Sequence, residues 1–217
     1  MQDFERYGES YDENSAQLAQ EKTRSCLKEI KDNIHIGMTE KEAEKIAAII
    51  LRKAGARKFW HPVHIRFGAN TTKGYREDSE PDVVLKKNDI FFIDIGPVFD
   101  GHEGDYGQTF VAGAHNDYEV LAGNAEIVWN KVRTAWKNNA VGYELWEKAK
   151  EFAAELNCEL APLYVKGHRI SDFPHEMITR NKMFDMNTVP AEKRWVLEIQ
   201  IIDPKLNRGA FYEDILV

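Results

Sequence analysis

The stretch IFFIDIGPVFDGHEGDYGQTFVA, residues 90–112, carries an acid in the middle of an apolar strand. Asp94 has an isoleucine on each side, and burying a carboxylate there costs free energy unless a positive charge meets it. The dipeptide at residues 100–101, Asp-Gly, is a strong signal for a two-residue hairpin turn. The stretch therefore predicts an antiparallel hairpin, with strands over residues 90–99 and 103–112, that holds a buried carboxylate.

The register of this hairpin predicts a second carboxylate beside the first. A turn at residues 100–101 pairs Asp94 with Gly107. Asp105 then lies two residues from that direct partner, on the same face and roughly 7 Å away or closer. Two carboxylates on one face repel each other unless they share a proton or a cation. A bound metal ion resolves this conflict.

The C-terminal strands, residues 194–202 and 209–217, repeat the arrangement. A loop over residues 203–208 places Glu198 directly opposite Glu213, again on one face. The ordinary alternative for any single acid is a side chain that faces solvent on a one-sided sheet. Two such hairpins in one chain favour a metal site.

A histidine that matches these acids occurs at His168, in the segment KGHRISDFPHE, residues 166–176, with His175 seven residues later. Four carboxylates and a neutral imidazole carry four negative charges, which balance two divalent cations. Such an oxygen-rich set with nitrogen suits manganese, iron, cobalt or zinc. Paired ions of this kind activate water and polarise a carbonyl group.

The remaining pattern divides the chain into two similar halves. Each half reads as two helices followed by three strand segments, although the halves share little sequence. The spacing at Thr39 and Glu42 indicates a capping box at the start of the second helix. We expect an α+β fold with helices on one face of a curved, largely antiparallel sheet, which leaves the other face for a site. The other segments are helices over about 14–33, 40–54, 117–137 and 143–156, and strands over 59–67 and 162–168.

Taken together, these residues resemble the pita-bread metallopeptidases, which include methionine aminopeptidase, aminopeptidase P and prolidase, with creatinase as a metal-free relative. The resemblance covers about residues 15–217, and the aminopeptidase P and prolidase branch fits best, as a catalytic domain without that branch's N-terminal domain. It rests on IGMTE (36–40), IDIG (93–96), GDYGQTF (104–110), GH (167–168), HE (175–176) and ED (213–214).

The resemblance implies a dinuclear metal centre and a reaction. Glu198 would also be the proton shuttle, and His175 would contact the substrate carbonyl or the tetrahedral intermediate. Family members often form dimers, so a homodimer is expected. The metal ligands implied are Asp94, Asp105, His168, Glu198 and Glu213.

The surroundings of this ligand set depart from the family pattern. Family peptidases carry a further histidine in the loop before the first metal-binding strand, whereas residues 69–87 contain none. Tyr75 and Arg76 lie near that place. His61 and His64 lie earlier and reach the site only if the loop folds back; a structural role is the alternative for both. These four residues are the candidates for substrate binding, and the departures leave the substrate more open than the chemistry.

Composition limits the other classes of function. The chain has 217 residues and a net charge of −7, which argues against non-specific binding to nucleic acid or to an anionic membrane. No apolar run is long enough to cross a bilayer. Cys26 and Cys158 form no zinc pattern, so we expect a cytoplasmic protein with reduced thiols. Residues 1–14 are predicted to be a tail or an arm onto a partner subunit, and residues 15–217 a single catalytic domain.

The leading hypothesis is a metal-dependent hydrolase of an amide bond, an aminopeptidase or dipeptidase of the Xaa-Pro type acting on small peptides. A creatinase-like hydrolase of a non-peptide C–N bond is the second hypothesis, since the substrate pocket departs from the pattern. A binding protein that reuses the fold is the third. Such a protein has no need of the ligand set, whereas this chain has all five of its members, four acids and one histidine.

Overall fold

A computed structural model of the chain describes residues 3–161, 167–174 and 182–217. Its larger sheet has the strand order β2-β3-β6-β10-β9-β7, with β8 also paired to β9, and a smaller sheet has the order β1-β4-β5. All of these pairs are antiparallel. The strands are β1 Lys58–Phe59, β2 His64–Phe67, β3 Asp89–Ile95, β4 Pro97–Phe99, β5 His102–Glu103, β6 Tyr106–Ala112, β7 Glu159–Leu160, β8 His168–Arg169, β9 Trp195–Asp203 and β10 Arg208–Ile215.

Each half of the chain has its own apolar core beneath two helices. In the first half, Leu27 and Leu51 share a buried cluster with Ile93 of β3. In the second half, Leu145 shares a buried cluster with Leu197 of β9. The predicted α+β pita-bread architecture, with helices and antiparallel strands in each half, is confirmed. In the described residues the α-helices are α1 Glu13–Asp32, α2 Glu40–Lys53, α3 Asn116–Lys137 and α4 Gly142–Glu155, and none is long and apolar enough to cross a membrane.

The start of α2 is fixed in the way that the sequence predicts. Thr39 Oγ1 accepts a hydrogen bond from Glu42 N at 3.3 Å, and Glu42 Oε2 accepts one from Thr39 N at 2.9 Å. The first helical residue, Glu40, is buried and accepts from Phe67 N at 2.6 Å and from Asn70 Nδ2 at 3.0 Å. The N-terminus of α2 is therefore tied directly to the end of β2.

The predicted strand over residues 59–67 is interrupted in the structure. β1 pairs with β4 of the smaller sheet, whereas β2 pairs with β3 of the larger one, so the chain changes sheets across residues 60–63. Pro62 lies in this break and has no N–H to donate to a strand ladder. Trp60 N donates to Gly96 O at 3.0 Å, which holds the break against the end of β3.

The N-terminal segment, predicted to be a tail or an arm, lies against its own chain over residues 3–12. The carbonyl oxygens of Phe4 and Arg6 accept hydrogen bonds from the buried Arg169 at 3.0 and 3.2 Å. Glu5 is itself buried, and its Oε1 accepts from the indole of Trp195 at 2.9 Å. The buried side chains of Arg169 and Trp195 in the C-terminal half therefore depend on this segment for hydrogen-bond acceptors.

Glu5→Ala is expected to destabilise the protein by about 1–3 kcal/mol, since it leaves two donors, Trp195 Nε1 and Ala191 N, without their acceptor. Chemical denaturation monitored by tryptophan fluorescence measures the change. Glu9→Ala is the matched control, because Glu9 is an exposed acid on the same segment. Equal free energies of unfolding for the two variants would contradict the anchoring role of Glu5.

Candidate metal centre

Strand register brings three carboxylates into one row across the larger sheet. Asp94 of β3 pairs with Gly107 of β6, Gly107 pairs with Glu213 of β10, and Glu213 pairs with Glu198 of β9. Both predicted registers are thus confirmed, and directly paired residues share one face. A Cβ at Gly107 would lie 2.3 Å from Phe211 Cε1 and 3.2 Å from Glu213 Oε2. Glycine at the centre of the row therefore leaves room between the acids.

Asp105 reaches this row from the short connection between β5 and β6. Its side chain is fully buried. Gln20 of α1 holds its backbone from both sides: Asp105 N donates to Gln20 Oε1 at 2.9 Å, and Gln20 Nε2 donates to the Asp105 carbonyl. The same amide also donates to Asp214 Oδ1 at 2.9 Å. Gln20 was not predicted as a site residue; the only signal in the sequence was a polar residue beside Ala19 on the apolar face of α1.

His168 joins the acids from β8. It pairs with Val196, two residues before Glu198 on β9, so it shares the face of that acid. Its Nδ1 lies 2.9 Å from the Arg169 carbonyl, which makes Nδ1 an N–H donor and directs Nε2 at the acids. Nε2 lies 2.9 Å from Asp105 Oδ2 and 3.7 Å from Glu213 Oε1.

The glycine before His168 fixes a further acid. Gly167 has a φ of +66°, a conformation that disfavours other residues, and its N–H donates to Glu198 Oε2 at 3.0 Å. The Gly-His pair that the sequence analysis singled out thus acts twice, since the glycine orients one predicted ligand and the histidine presents another.

His61 lies at the opposite side of the cluster. Its Nδ1 is 2.6 Å from the Pro62 carbonyl, and its Nε2 is 3.4 Å from Asp94 Oδ1 and 3.7 Å from Asp105 Oδ1. The sequence predicts His61 only as a candidate substrate-binding residue, with a structural role as the alternative, because its approach to the acids depends on the break between β1 and β2. The break folds residues 60–63 back onto the cluster.

The electrostatics of the cluster call for a cation. Burial raises the pKa of Asp94 to about 7, and burial with neighbouring acids raises the pKa of Glu198 and, further still, that of Glu213. Burial opposes ionisation of Asp105 too, but His168 and His61 outweigh it and lower its pKa. Buried oxygens of Asp105 and Glu213 accept no hydrogen bond within the described part of the chain.

Residues of the cluster form two groups of three, and within each group the potential ligand atoms lie within 4.8 Å of one another. One comprises His61, Asp94 and Asp105, and the other comprises Asp105, His168 and Glu213. Oxygen-rich sets with imidazole nitrogen, unsatisfied acceptors and raised carboxyl pKa values fit divalent metal ions. The cluster therefore has the donor chemistry of a metal centre, with Asp105 common to both groups.

The other residues predicted to bind substrate are only partly brought to the cluster. His64 of β2 pairs with Asp94, and its ring lies 4.4 Å from that of Tyr75. Both line a narrow pocket that also contains Asp94 and Glu198. Burial, with the charge of His61 adding to it, lowers the pKa of His64 to about 4, so His64 is neutral near pH 7. Arg76 is exposed outside this pocket, and His175 falls outside the described residues.

The loop that carries Tyr75 is positioned by a buried arginine, which was not predicted from the sequence. Arg66 of β2 donates to the Glu77 carbonyl at 2.6 Å, to the Gly74 carbonyl at 3.5 Å and to Ser79 Oγ. The loop is thereby held over the pocket, since Arg66 is itself a lining residue. The sequence signal for Arg66 was weak, because it is one charged residue in a short strand.

Comparison with known proteins defines the class. The model of metallopeptidase family M24 matches residues 14–217. The chain therefore belongs to metallopeptidase family M24, a family of divalent-metal-dependent hydrolases. No curated protein matches the chain significantly.

Solved structures with the same fold are distant in sequence. X-Pro aminopeptidase from Thermotoga maritima MSB8 is 20% identical, with 92% of this chain and 56% of that chain covered and a TM-score of 0.76. Prolidase from Pyrococcus furiosus is 19% identical, with 93% and 59% covered and a TM-score of 0.74. Methionine aminopeptidase from Thermotoga maritima is 16% identical, with 96% and 93% covered and a TM-score of 0.76. The chain thus spans 56–59% of the first two relatives and nearly all of the third.

Metal should stabilise the protein more strongly as pH rises. Burial opposes the charged form of His61, but Asp94 and Asp105 outweigh it and raise its pKa from 6.5 to about 9. Because the pKa of His61 is higher in the folded state, protonated His61 stabilises the fold fully below pH 6.5, and this contribution is lost as pH rises to about 9. The raised pKa of Asp94, about 7, acts with the same sign. Metal binding needs deprotonated ligands and acts in the opposite direction.

We therefore expect the unfolding temperature in EDTA to fall between pH 6.5 and 9, and saturating Co²⁺ to remove that fall. Thermal unfolding with and without the ion measures the difference. His64→Gln is the matched control and should show the same fall in EDTA, because the pKa of His64, about 4, lies below the range from pH 6.5 to 9. A metal-induced shift of the unfolding temperature that is the same at both pH values would contradict the assignment.

Proposed function

We propose that the protein is a dinuclear metal-dependent hydrolase of an amide bond, an aminopeptidase or dipeptidase of the Xaa-Pro type that acts on small peptides. The observation that carries this proposal is Asp105, which is shared by two potential ligand groups on either side of it. A carboxylate shared by two neighbouring ion positions suits a two-metal centre, in which the ions lie close together. Manganese, cobalt, iron and zinc all suit the donor set. The proposed ligands are Asp94, Asp105, His168, Glu198 and Glu213, as the family resemblance implies.

Bound divalent ions would supply a water of lowered pKa and would polarise the scissile carbonyl group. Glu198 is the proposed proton shuttle, which takes the proton from the attacking water and delivers it to the leaving amine. Its accessibility supports this role, since Glu198 is half-buried and lines the pocket, whereas Asp105 and Glu213 are almost fully buried. The N–H of Gly167 keeps one carboxylate oxygen in place during the transfer. His175 is proposed as the hydrogen-bond donor to the substrate carbonyl.

The pocket beside Asp94 and Glu198 supports a small substrate. Phe92 and Phe211 contribute its apolar surface, and their rings lie 5.3 Å apart. His64 is neutral there, so it can donate or accept one hydrogen bond without introducing charge. The pocket is narrow and is also lined by Arg66 and Lys73, so a small neutral group fits these surroundings better than a large or cationic one.

The ligand and shuttle roles predict different losses. Asp105→Asn should abolish turnover and reduce the number of bound metal ions, because it removes the shared carboxylate. Glu198→Gln should lower kcat by about 10²–10⁴-fold through loss of the proton shuttle, with at least one ion retained. Metal analysis of the purified variants and cleavage assays with Xaa-Pro dipeptides measure both effects.

Asp100→Asn is the matched control for these variants, since Asp100 is an exposed acid in the turn of the same hairpin. It should retain both metal and turnover. Purified, metal-reconstituted wild-type protein that binds no divalent ion would rule out the proposal. Full activity of Asp105→Asn would do the same.

A creatinase-like hydrolase of a non-peptide C–N bond is the second candidate. It is favoured by the loop over residues 69–87, which has no histidine and presents Tyr75 to the pocket. Dipeptides assayed beside small cyclic and N-acyl amides separate the two reactions. Hydrolysis of the amides that survives thorough chelation would favour this candidate. Bound metal without turnover on any substrate would favour a binding protein.

The proposal extends to the setting of the protein. Cys26 and Cys158 are buried free thiols, which supports a reducing, cytoplasmic location. A small peptide or amide is the proposed partner in the site, and a homodimer is proposed from the family resemblance. Size-exclusion chromatography with light scattering tests the assembly directly.

A further inference from the structure

His61 lies outside the ligand order of the family resemblance, but it points at the metal cluster in the same way as His168. We propose that His61 is an additional metal ligand, whose Nε2 coordinates the ion held by Asp94 and Asp105. This inference rests on the metal centre proposed above and is independent of the substrate. It gives each ion position one imidazole, with Asp105 between them.

The orientation of the ring supports coordination. Nδ1 donates a hydrogen bond to the Pro62 carbonyl at 2.6 Å, so Nε2 is the nitrogen that faces the acids. His168 is fixed in the same tautomer by the Arg169 carbonyl at 2.9 Å. A backbone carbonyl on the far nitrogen is the usual support for a metal-binding histidine.

The distances from Nε2 also support an ion between the groups. Nε2 lies 3.4 Å from Asp94 Oδ1 and 3.7 Å from Asp105 Oδ1. A charged hydrogen bond would be shorter, about 2.7–2.9 Å. Two donor atoms that are each about 2.1 Å from one ion lie roughly 3.0–3.4 Å apart for angles between 90° and 109°. The separation from Asp94 Oδ1 lies within this range, and that from Asp105 Oδ1 is 0.3 Å beyond it, so a small approach of the ring brings both oxygens and Nε2 to a shared ion.

The place of the ring is built into neighbouring residues. A Cβ at Gly96 would lie 2.1 Å from His61 Cδ2 and 2.4 Å from its Nε2, so glycine at this position makes room for the imidazole. The indole of Trp60 lies 4.2 Å from the ring of His61 and 4.5 Å from that of His168. Trp60 is itself anchored, since its Nε1 donates to the Gly104 carbonyl at 3.3 Å.

A second imidazole changes which ions the centre prefers. Four carboxylates already balance two divalent charges, so a neutral His61 adds affinity without adding charge. Imidazole nitrogen favours zinc and cobalt over harder ions such as magnesium. We therefore expect the metal site at Asp94 to lose more affinity for Co²⁺ than for Mg²⁺ when the imidazole is removed.

X-ray absorption spectroscopy of the full chain loaded with two equivalents of Co²⁺ tests the inference, because imidazole rings are counted by their outer-shell scattering. The wild type should show about one imidazole per ion, and His61→Gln about half that number. Isothermal titration should show the Co²⁺ affinity of one site weakened by at least about 10-fold, the lower end of what loss of an outer-shell partner costs. His64→Gln, three residues along the same segment, is the matched control and should keep the wild-type count.

Gly96→Ala provides a second route that keeps the histidine. The added methyl group occupies the place of the ring, so it should lower the imidazole count as His61→Gln does. This variant decides the question if His61→Gln fails to fold. Half an imidazole per ion in the wild type, or an unchanged count in a folded His61→Gln, would overturn the role of His61 alone. Wild-type protein that binds no Co²⁺ would instead overturn the metal centre itself.

Discussion

The repulsion among buried carboxylates is the constraint on which the rest of this structure depends. Two like charges about 4 Å apart cost roughly 4 kcal/mol at an effective dielectric constant near 20. The fold nevertheless places four acids together, because the strands that carry them are fixed by their apolar neighbours. Ile93 and Ile95 are fully buried, and a slip of one residue would turn both from the apolar core to the face that carries the acids. Core packing thus enforces a concentration of charge that only a proton or a cation relieves.

Absence of side chains is as important to this centre as the acids are. Gly107 keeps the middle of the carboxylate row open, and Gly96 does the same beside His61. At Gly167 the backbone itself is used, since its N–H holds Glu198 in place. These three glycines explain why short Gly-containing motifs surround the ligands: each marks a point where backbone and ligand approach closely.

The parts of the site that follow from strand periodicity could be predicted from the sequence. A two-residue turn and alternation of side chains were enough to pair Asp94 with Gly107 and Glu198 with Glu213. The approach of His61 could not be predicted in this way, because it depends on a chain that changes sheets across residues 60–63. No local period encodes such a change.

Contacts between distant parts of the chain were likewise hidden. Gln20 clamps a residue 85 positions away, and Glu5 accepts a hydrogen bond from one 190 positions away. In the sequence, Gln20 and Glu5 are only polar residues near apolar ones, and nothing in their local pattern indicates these contacts. The acidic start of the chain looked like a tail for the same reason, since its composition is polar while its hydrogen-bonding partners lie at the other end.

The cost of the cluster bears on which class of function it supports. Uncompensated acids destabilise the protein without metal, and a protein that only binds a partner has no use for that loss of stability. Strain of this kind is concentrated at catalytic sites, where it tunes proton transfer and ion binding. The residues that line the substrate pocket are less constrained than the ligands. His64 and Tyr75 contact each other at its side, and neither belongs to the cluster of buried carboxylates. The chemistry of the centre and the choice of substrate are therefore separable here: strand register and buried charge specify the first, while a single loop held by Arg66 shapes the second.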